Sequence, residues 1–147
     1  MNSSPGGCVV RAGDACFAEL QELVALNPNN ANIEIPDETL AGLYLIFGKN
    51  FAKAVEVVDG GGIVCYIGEQ TGRRLFKVPG SHAPDFYIVF PAHYCSCQSF
   101  TFDVVSRSDA AFCKHQLAAR LATVMKRSTE VTIPDITIAL MLLEQCA

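Results

Sequence analysis

Four of the ten cysteine and histidine side chains fall into two tight pairs, Cys95-x-Cys97 and Cys113-x-His115, with fifteen residues between the pairs. Thiolate sulfur and imidazole nitrogen are the donors that zinc takes in a tetrahedron, at about 2.3 Å and 2.0 Å. Two ligands that are one residue apart can both face a metal only where the backbone turns, as at a strand end or a helix start. The pattern predicts one zinc ion held by Cys95, Cys97, Cys113 and His115.

The alternative for these side chains is a group of ordinary buried thiols, because cysteine is among the residue types most often buried. Two pairs, with a histidine in the second, favour metal binding over that alternative. Since four protein ligands leave no open position for water, we expect a structural zinc ion and no catalytic residue. A helix start at Cys113 is expected to lower the pKa of its thiol. Lys114 and Arg107 are expected to moderate the negative charge of the site.

The other histidines and cysteines give weaker signals. His93 stands two residues before Cys95 and could replace a cysteine as ligand, but a polar histidine at a strand end is the simpler interpretation. Cys65 falls on the apolar face of a strand-like run and is predicted to lie in the core. A nucleophilic pair of Cys113 and His115 is a further alternative, but no acid or oxyanion arrangement accompanies it in the sequence. No chemical role is predicted for His82, Cys8, Cys16 and Cys146.

Helices on both sides of the zinc pairs are predicted from apolar spacing and end signals. They cover Asp14 to Leu26, Pro36 to the glycines at 60–62, Cys113 to about Met125, and a last helix that starts near Thr132. The last helix is predicted to carry its apolar residues on one face: Ile136, Leu140 and Leu143.

Three strand-like runs lie between the second and third helices and are predicted to form an antiparallel meander: Ile63–Ile67, Arg73–Val78 and Phe86–Phe90. The expected fold is therefore α+β: N-terminal helices, the meander, the zinc finger with its helix, and a C-terminal helix. Residues 14–147 are predicted to form one domain, with the zinc finger at about residues 91–127. Residues 1–13 are predicted to be a flexible N-terminus.

The composition fits a folded domain, because the 147 residues are 50% hydrophobic and 18% charged, with a mean hydropathy of +0.28. These values exclude a disordered tail and a collagenous repeat. No apolar run reaches the ~18 residues that cross a bilayer, and the start lacks a basic secretion signal, so a soluble intracellular protein is expected. The net charge of −4 divides unevenly, since residues 61–129 carry eight basic against four acidic side chains. That middle segment is the one suited to meet an anion.

Cys-x-Cys, a variable loop and Cys-x-His make up the pattern of the SWIM-type zinc finger, which the chain resembles at these residues. Cys113-Lys-His-Gln-Leu-Ala118 also meets the extended form of that pattern, Cys-x-His-x-x-Ala. Over about residues 33–127 the chain is similar to the small SWIM-domain subunits of Shu complexes. The segments that carry this similarity are Ile35-Pro-Asp-Glu, Leu45-Ile-Phe-Gly, Thr71-Gly-Arg-Arg, His93-Tyr-Cys-Ser-Cys and Arg107-Ser-Asp.

The resemblance implies a non-enzymatic, nuclear subunit that forms a heterodimer with a RecA-like recombinase paralogue. Such heterodimers promote the assembly of recombinase filaments on single-stranded DNA in homologous recombination and DNA repair. The resemblance assigns one structural zinc ion to the four predicted ligands, and this ion supports the fold and the partner contact. The sequence has no phosphate-binding loop, so any ATP chemistry would belong to the partner. Apolar helix faces in residues 36–58 or 112–127 are the predicted partner contacts, and single-stranded DNA is expected to be met through the complex.

The alternative function is a zinc-dependent DNA-binding module that acts without a RecA-like partner. Four arginines are the candidate DNA contacts: Arg73 and Arg74 on the predicted hairpin, and Arg120 and Arg127 on one face of the third helix. A solvated basic surface is the simpler interpretation of these residues. Since aromatic side chains are few and fall mostly at core positions, the DNA affinity of the chain alone is predicted to be modest and salt-sensitive.

Overall fold

A five-stranded mixed sheet carries helices on both faces in the computed structural model, which describes residues 5–29, 33–82, 85–106 and 110–146. The helices are α1 (Pro5–Leu26), α2 (Asp37–Phe47), α3 (Lys49–Gly60), α4 (Lys114–Val124) and α5 (Asp135–Cys146), with a π-helical segment at Phe100–Ser106. The strands are β1 (Val64–Gly68), β2 (Arg74–Pro79), β3 (Phe86–Phe90), β4 (Tyr94–Cys95) and β5 (Thr129–Ile133). Among the helices in these ranges, none is long and apolar enough to cross a membrane.

The strands β1, β2 and β3 form the predicted antiparallel meander. The sheet also contains two strands that were not expected from the sequence. The short β4 pairs antiparallel with β3, and β5 pairs parallel with β1, so the order across the sheet is β4-β3-β2-β1-β5. The fold is therefore α+β as predicted, but the expectation of a three-stranded sheet is corrected to a mixed sheet of five strands.

Strand β5 lies where the last helix was predicted to start, near Thr132. The segment Thr129–Ile133 is rich in β-branched residues, which favour a strand, and its first N–H donates to the carbonyl of Ile63 at 3.0 Å. Pro134 follows the strand and has no N–H with which to continue the pairing. Helix α5 therefore begins only at Asp135.

Asp135 connects the start of α5 to the turn between β1 and β2 through hydrogen bonds. Its carboxylate accepts a hydrogen bond from the Thr71 hydroxyl at 2.5 Å and another from the backbone N–H of Gln70 at 2.8 Å. A side chain at Gly68 would collide with this carboxylate, so glycine leaves room for the contact. The bond from Thr71, and then the bond from Gln70, lowers the pKa of the Asp135 carboxyl.

The two faces of the sheet are covered by different helices. The larger core lies between one face and helices α1 to α4, and it contains Cys65, as predicted, together with Phe76 and Leu117. On the opposite face, Leu75 and Ile88 pack against Ile138 of α5. The three cysteines among the zinc-ligand candidates belong to the first of these two cores.

Helix α4 is deeply buried between α3 and the sheet. Its three small residues, Ala118, Ala119 and Ala122, are completely buried, and α4 contacts α1, α3, β2 and β3. The absence of bulky side chains lets the backbones of these elements approach closely. The face of α4 that carries these small residues therefore packs within the chain and is not available to a partner.

Two predictions about the N-terminal helices are corrected. Helix α1 begins at Pro5, not at Asp14, so residues 5–13 of the predicted flexible N-terminus are helical, and residues 1–4 lie outside the described ranges. A side chain at the buried Gly13 would collide with the ring of Phe47, so this glycine allows α1 and α2 to pack closely in the added part of the helix.

The single helix predicted from Pro36 to the glycines 60–62 is two helices, α2 and α3. Gly48 separates them with a φ of +62°, in the left-handed region that favours glycine. Its N–H donates to the carbonyl of Tyr44 at 2.8 Å and ends α2. Apolar periodicity continues through this junction, which is why the spacing predicted one helix.

Helix α5 faces the sheet with the side opposite to the predicted one. Ile138 is buried against the sheet with Met141 and Leu142 beside it. The residues of the predicted face, Ile136, Leu140 and Leu143, are exposed. Both sides of this helix are apolar, so periodicity alone could not identify the buried side.

Candidate metal centre

The four predicted zinc ligands lie together where two turns of the backbone meet. Cys95 ends the edge strand β4, and Cys97 follows it in a bend. Cys113 is the N-cap residue of α4, and His115 lies in the first turn of that helix. Since α4 also contacts β3 and β4, the strand end and the helix start come together, as the one-residue spacing of each pair required.

The ligand atoms are close enough to share one metal ion. One atom from each of Cys95, Cys97, Cys113 and His115 lies within 4.8 Å of all the others, and Cys95 Sγ is 3.7 Å from Nδ1 of His115. In a zinc tetrahedron with Zn–S bonds of ~2.3 Å, the sulfurs are about 3.8 Å apart. The four residues are between 1% and 4% exposed. Donor types, spacing and burial fit one structural zinc ion.

The close contact of the three thiols drives their pKa values apart. Hydrogen bonds with Cys113 and Cys97, followed by burial, raise the pKa of Cys95. Hydrogen bonds from Cys113 and Cys95 lower the pKa of Cys97. For Cys113, the bond with Cys95 lowers the pKa, but the bond with Cys97 and burial raise it, to about 11. The helix start does lower the pKa of Cys113 as predicted, through the backbone N–H of Gln116, but the bond with Cys97 and burial outweigh this contribution.

A buried glutamine that the sequence reasoning did not single out supports one of the ligands. Oε1 of Gln116 accepts a hydrogen bond from the backbone N–H of Cys113 at 2.9 Å, and the Cys113 side chain accepts one from the backbone N–H of Gln116. Gln116 is only 2% exposed. A cap residue followed three positions later by glutamine is a capping-box signal, which could have revealed this role in the sequence.

Two further residues shape the site. The backbone N–H of Phe100 donates to Cys97 Sγ at 3.3 Å, a bond that favours the thiolate. The ring of Tyr87, on β3, lies against the imidazole of His115 with 4.4 Å between the ring centres. The aromatic contact limits the orientations open to the histidine, and nothing in the local sequence pattern indicated it.

Among the described side chains, no other cysteine or histidine joins this group. His93 is exposed, and the cluster found among the described residues does not include it. Lys114 lies on the rim of a cavity of about 400 Å³ beside His115, while Arg107 lies outside the described ranges. His82 and Cys8 are exposed and Cys16 is half-buried, whereas the side chain of Cys146 lies outside the described part.

The two arginines predicted on the hairpin lie at the start of β2. Arg73 is exposed in the turn. Arg74 forms an ion pair with Glu130 of β5, with 3.1 Å between Nη1 and Oε1. Both partners of this pair are about half-exposed, so the guanidinium keeps a surface toward solvent but is partly neutralised.

The other two arginines do not share a helix face, and that prediction is corrected. Arg120 lies on α4, forms an ion pair with Asp14 at 2.5 Å, and covers the ring of Phe17 at 4.4 Å. Arg127 lies beyond the end of α4 and is exposed. Lys126 adopts a left-handed φ of +56°, which turns the chain away from the helix axis before Arg127.

A buried Cys-x-Cys pair and Cys-x-His pair that join a strand end to a helix start define a SWIM-type zinc-finger protein. The chain is 36% identical over 116 residues to zinc finger SWIM domain-containing protein 7 of Homo sapiens, covering 79% of this chain and 81% of that protein. It is 33% identical over 125 residues to the protein of that name from Mus musculus, covering 85% and 80%. The chain belongs to the zinc finger SWIM domain-containing protein 7 family.

The zinc finger SWIM domain-containing protein 7 homolog of Dictyostelium discoideum is 32% identical over 107 residues, which cover 73% of this chain and 69% of the homolog. No family model and no solved structure matches the chain. The family and the buried cluster together establish one structural zinc site at Cys95, Cys97, Cys113 and His115. Bound there, zinc joins the edge strand β4 to the start of α4 and neutralises the crowded thiolates.

Proposed function

We propose that this protein is a non-enzymatic, nuclear subunit of a heterodimeric Shu-type complex, in which its partner is a RecA-like recombinase paralogue. The complex promotes the assembly of a recombinase filament on single-stranded DNA during homologous recombination and DNA repair. The sequence similarity to small SWIM-domain subunits over about residues 33–127 carries this proposal. Membership in the zinc finger SWIM domain-containing protein 7 family is consistent with it.

The metal centre supports a binding role without catalysis. Four buried protein ligands are the number that fills a tetrahedral zinc site, and such closed sites are typical of structural zinc. Three of the zinc ligands, the cysteines, are part of the larger core, so the ion acts on the fold that carries any partner surface. The subunit contributes this surface, and ATP binding and hydrolysis belong to the RecA-like partner.

The arrangement of the basic residues favours the heterodimer over a zinc module that binds DNA alone. Arg74 and Arg120 are engaged in ion pairs with Glu130 and Asp14, and Arg120 also lies on an aromatic ring. Arg73 and Arg127 are exposed but belong to different parts of the fold. Such scattered cations give weak, salt-sensitive contacts to phosphates, so DNA is bound mainly by the complex.

Co-expression tests the proposal directly. The tagged chain is expressed with each RecA-like recombinase paralogue of its own organism, and a stable one-to-one complex with one of them is expected. That complex is then added to recombinase and fluorescent single-stranded DNA, where faster filament assembly is expected. Cys97→Ser, which loses a zinc ligand, should form no complex.

Two results would reject the proposal. The first is the absence of a complex with every paralogue although the chain is folded and contains zinc. The second is tight binding of single-stranded DNA by the isolated chain at physiological salt, which would support the DNA-binding alternative.

A further inference from the structure

The outer side of α5 carries an apolar stripe on the surface. Ten large apolar side chains are exposed in the described part of the chain, and four of them lie in β5 and α5: Val131, Ile136, Leu140 and Leu143. The three on α5 are 66%, 53% and 64% exposed. Their spacing of four and three residues places them on one line along the helix, opposite Ile138, which packs on the sheet. Helix α5 is therefore apolar on both its inner and its outer side.

The helix that carries this stripe has one acidic residue near each end and no basic residue. The sequence from residue 128 to the end contains Glu130, Asp135 and Glu144 but no lysine or arginine. Glu130 is paired with Arg74 of β2, while the carboxylate of Asp135 accepts hydrogen bonds from Thr71 and Gln70. Asp135 and the exposed Glu144 thus stand near the two ends of the apolar stripe. A matching surface has to be apolar in the middle and basic at its ends.

A second copy of the chain does not match this surface. If two α5 helices packed antiparallel through Leu140, each Asp135 would lie near Glu144 of the other copy. Two like-charged pairs would then face each other with no basic residue in the segment to offset them. A different protein, with lysine or arginine flanking an apolar stripe, satisfies both the apolar and the charged parts.

We propose, on the basis of the proposed function, that the outer stripe of α5 docks an amphipathic helix of the RecA-like partner, with basic residues at both ends of its apolar stripe. A straight line of exposed residues over two helical turns is the shape that another helix packs against. Within residues 112–127, the apolar face of α4 formed by Ala118, Ala119 and Ala122 is buried within the chain. In residues 36–58, Leu45 is 87% exposed, and it lies on α2, in the layer on the other face of the sheet.

The test uses the full chain co-expressed with the paralogue that binds it. Leu140→Glu and Leu143→Glu place a charge in the stripe, and they should leave the fold and zinc content unchanged because both side chains are exposed. The dissociation constant should rise by about tenfold or more for each, since a central apolar contact is replaced by a charge. Leu45→Glu is the matched control on α2 and should bind like the wild type. Glu144→Lys should weaken binding, and by less at high salt.

Each outcome separates the two proposals. If the wild-type chain binds no RecA-like paralogue, both the proposed function and this docking surface are rejected. If it binds a paralogue and the α5 variants bind equally well, only the docking surface is rejected. Loss of binding in Leu45→Glu alone would place the contact on α2. A homodimer of the isolated chain that Leu140→Glu dissociates would assign the stripe to a second copy.

Discussion

Gln116 and Cys113 are joined by reciprocal hydrogen bonds at the start of α4. The Gln116 side chain accepts from the Cys113 N–H at 2.9 Å, and the Cys113 side chain accepts from the Gln116 N–H. The residue that caps the helix is therefore also a zinc ligand. The start of the helix and one corner of the zinc tetrahedron depend on the same two side chains.

Gln116→Ala should weaken both the helix start and the metal site. The buried N–H of Cys113 loses its acceptor, which costs about 1–2 kcal/mol of folding stability. Urea unfolding measures this loss, and transfer of zinc to a chromophoric chelator should become faster. Gln98→Ala is the matched control, because Gln98 is exposed near the first ligand pair. If Gln116→Ala transferred zinc to the chelator at the wild-type rate, the Gln116 side chain would not hold the ligand Cys113 in place.

Cys97→Ser and His115→Ala should each release zinc and unfold residues of about 91–127. Structural zinc supplies on the order of 10 kcal/mol, which matches the whole stability of a typical domain. Metal analysis and hydrogen exchange measure the two effects. His93→Ala is the control for the histidine, since His93 is exposed close to the first pair. If His115→Ala kept one zinc ion per chain and His93→Ala lost it, His93 would be the zinc ligand in place of His115.

Arg120→Ala should destabilise the fold by about 1 kcal/mol, because it removes both the cation–π contact with Phe17 and the ion pair with Asp14. Arg127→Ala, an exposed position beyond α4, should leave stability unchanged. Thermal unfolding compares the two variants. A stable Arg120→Ala variant with reduced DNA binding would instead give this arginine the DNA contact predicted from the sequence.

Asp135→Asn should destabilise the protein at neutral pH. The pKa of Asp135 is lowered in the folded chain, so its stabilising contribution is complete above the ordinary carboxyl value of 3.8 and is lost as pH falls through the folded value. Urea midpoints should therefore differ between variant and wild type by the same amount at pH 7.5 and pH 5.5, and the difference should shrink in acid. Asp37→Asn, at the first position of α2, is the comparison variant. A difference that grows in acid would contradict the assigned direction.

The zinc ligands could be predicted from the sequence because their chemistry is carried by residue type and spacing. Cysteine and histidine in pairs one residue apart have few functions other than metal binding. The backbone turns that such pairs require are present at the end of β4 and the start of α4. Gln116 and Tyr87 were missed for the opposite reason. Glutamine and tyrosine occur in many roles, and the contact of Tyr87 with His115 exists only after β3 and α4 have packed together.

The errors in the fold arise where local patterns allow two structures. The apolar spacing continues without interruption through Gly48, so the break between α2 and α3 depends on the φ angle of this one residue. Helix α5 offers an apolar residue on either side, and packing against Leu75 and Ile88 selects Ile138. The strand β5 is short, and it is held by an open edge of β1 that belongs to a distant part of the sequence.

The pairing of β5 with β1 has a consequence for the order in which a nascent chain can fold. Val64 lies opposite Thr129, so this edge of the sheet stays open until residues 129–133 have left the ribosome. All four zinc ligands emerge before β5 and can bind the ion first, which joins β4 to α4 at the other edge. During that interval the free edge of β1 is the place where neighbouring nascent chains would pair, and β5 ends the exposure when it arrives.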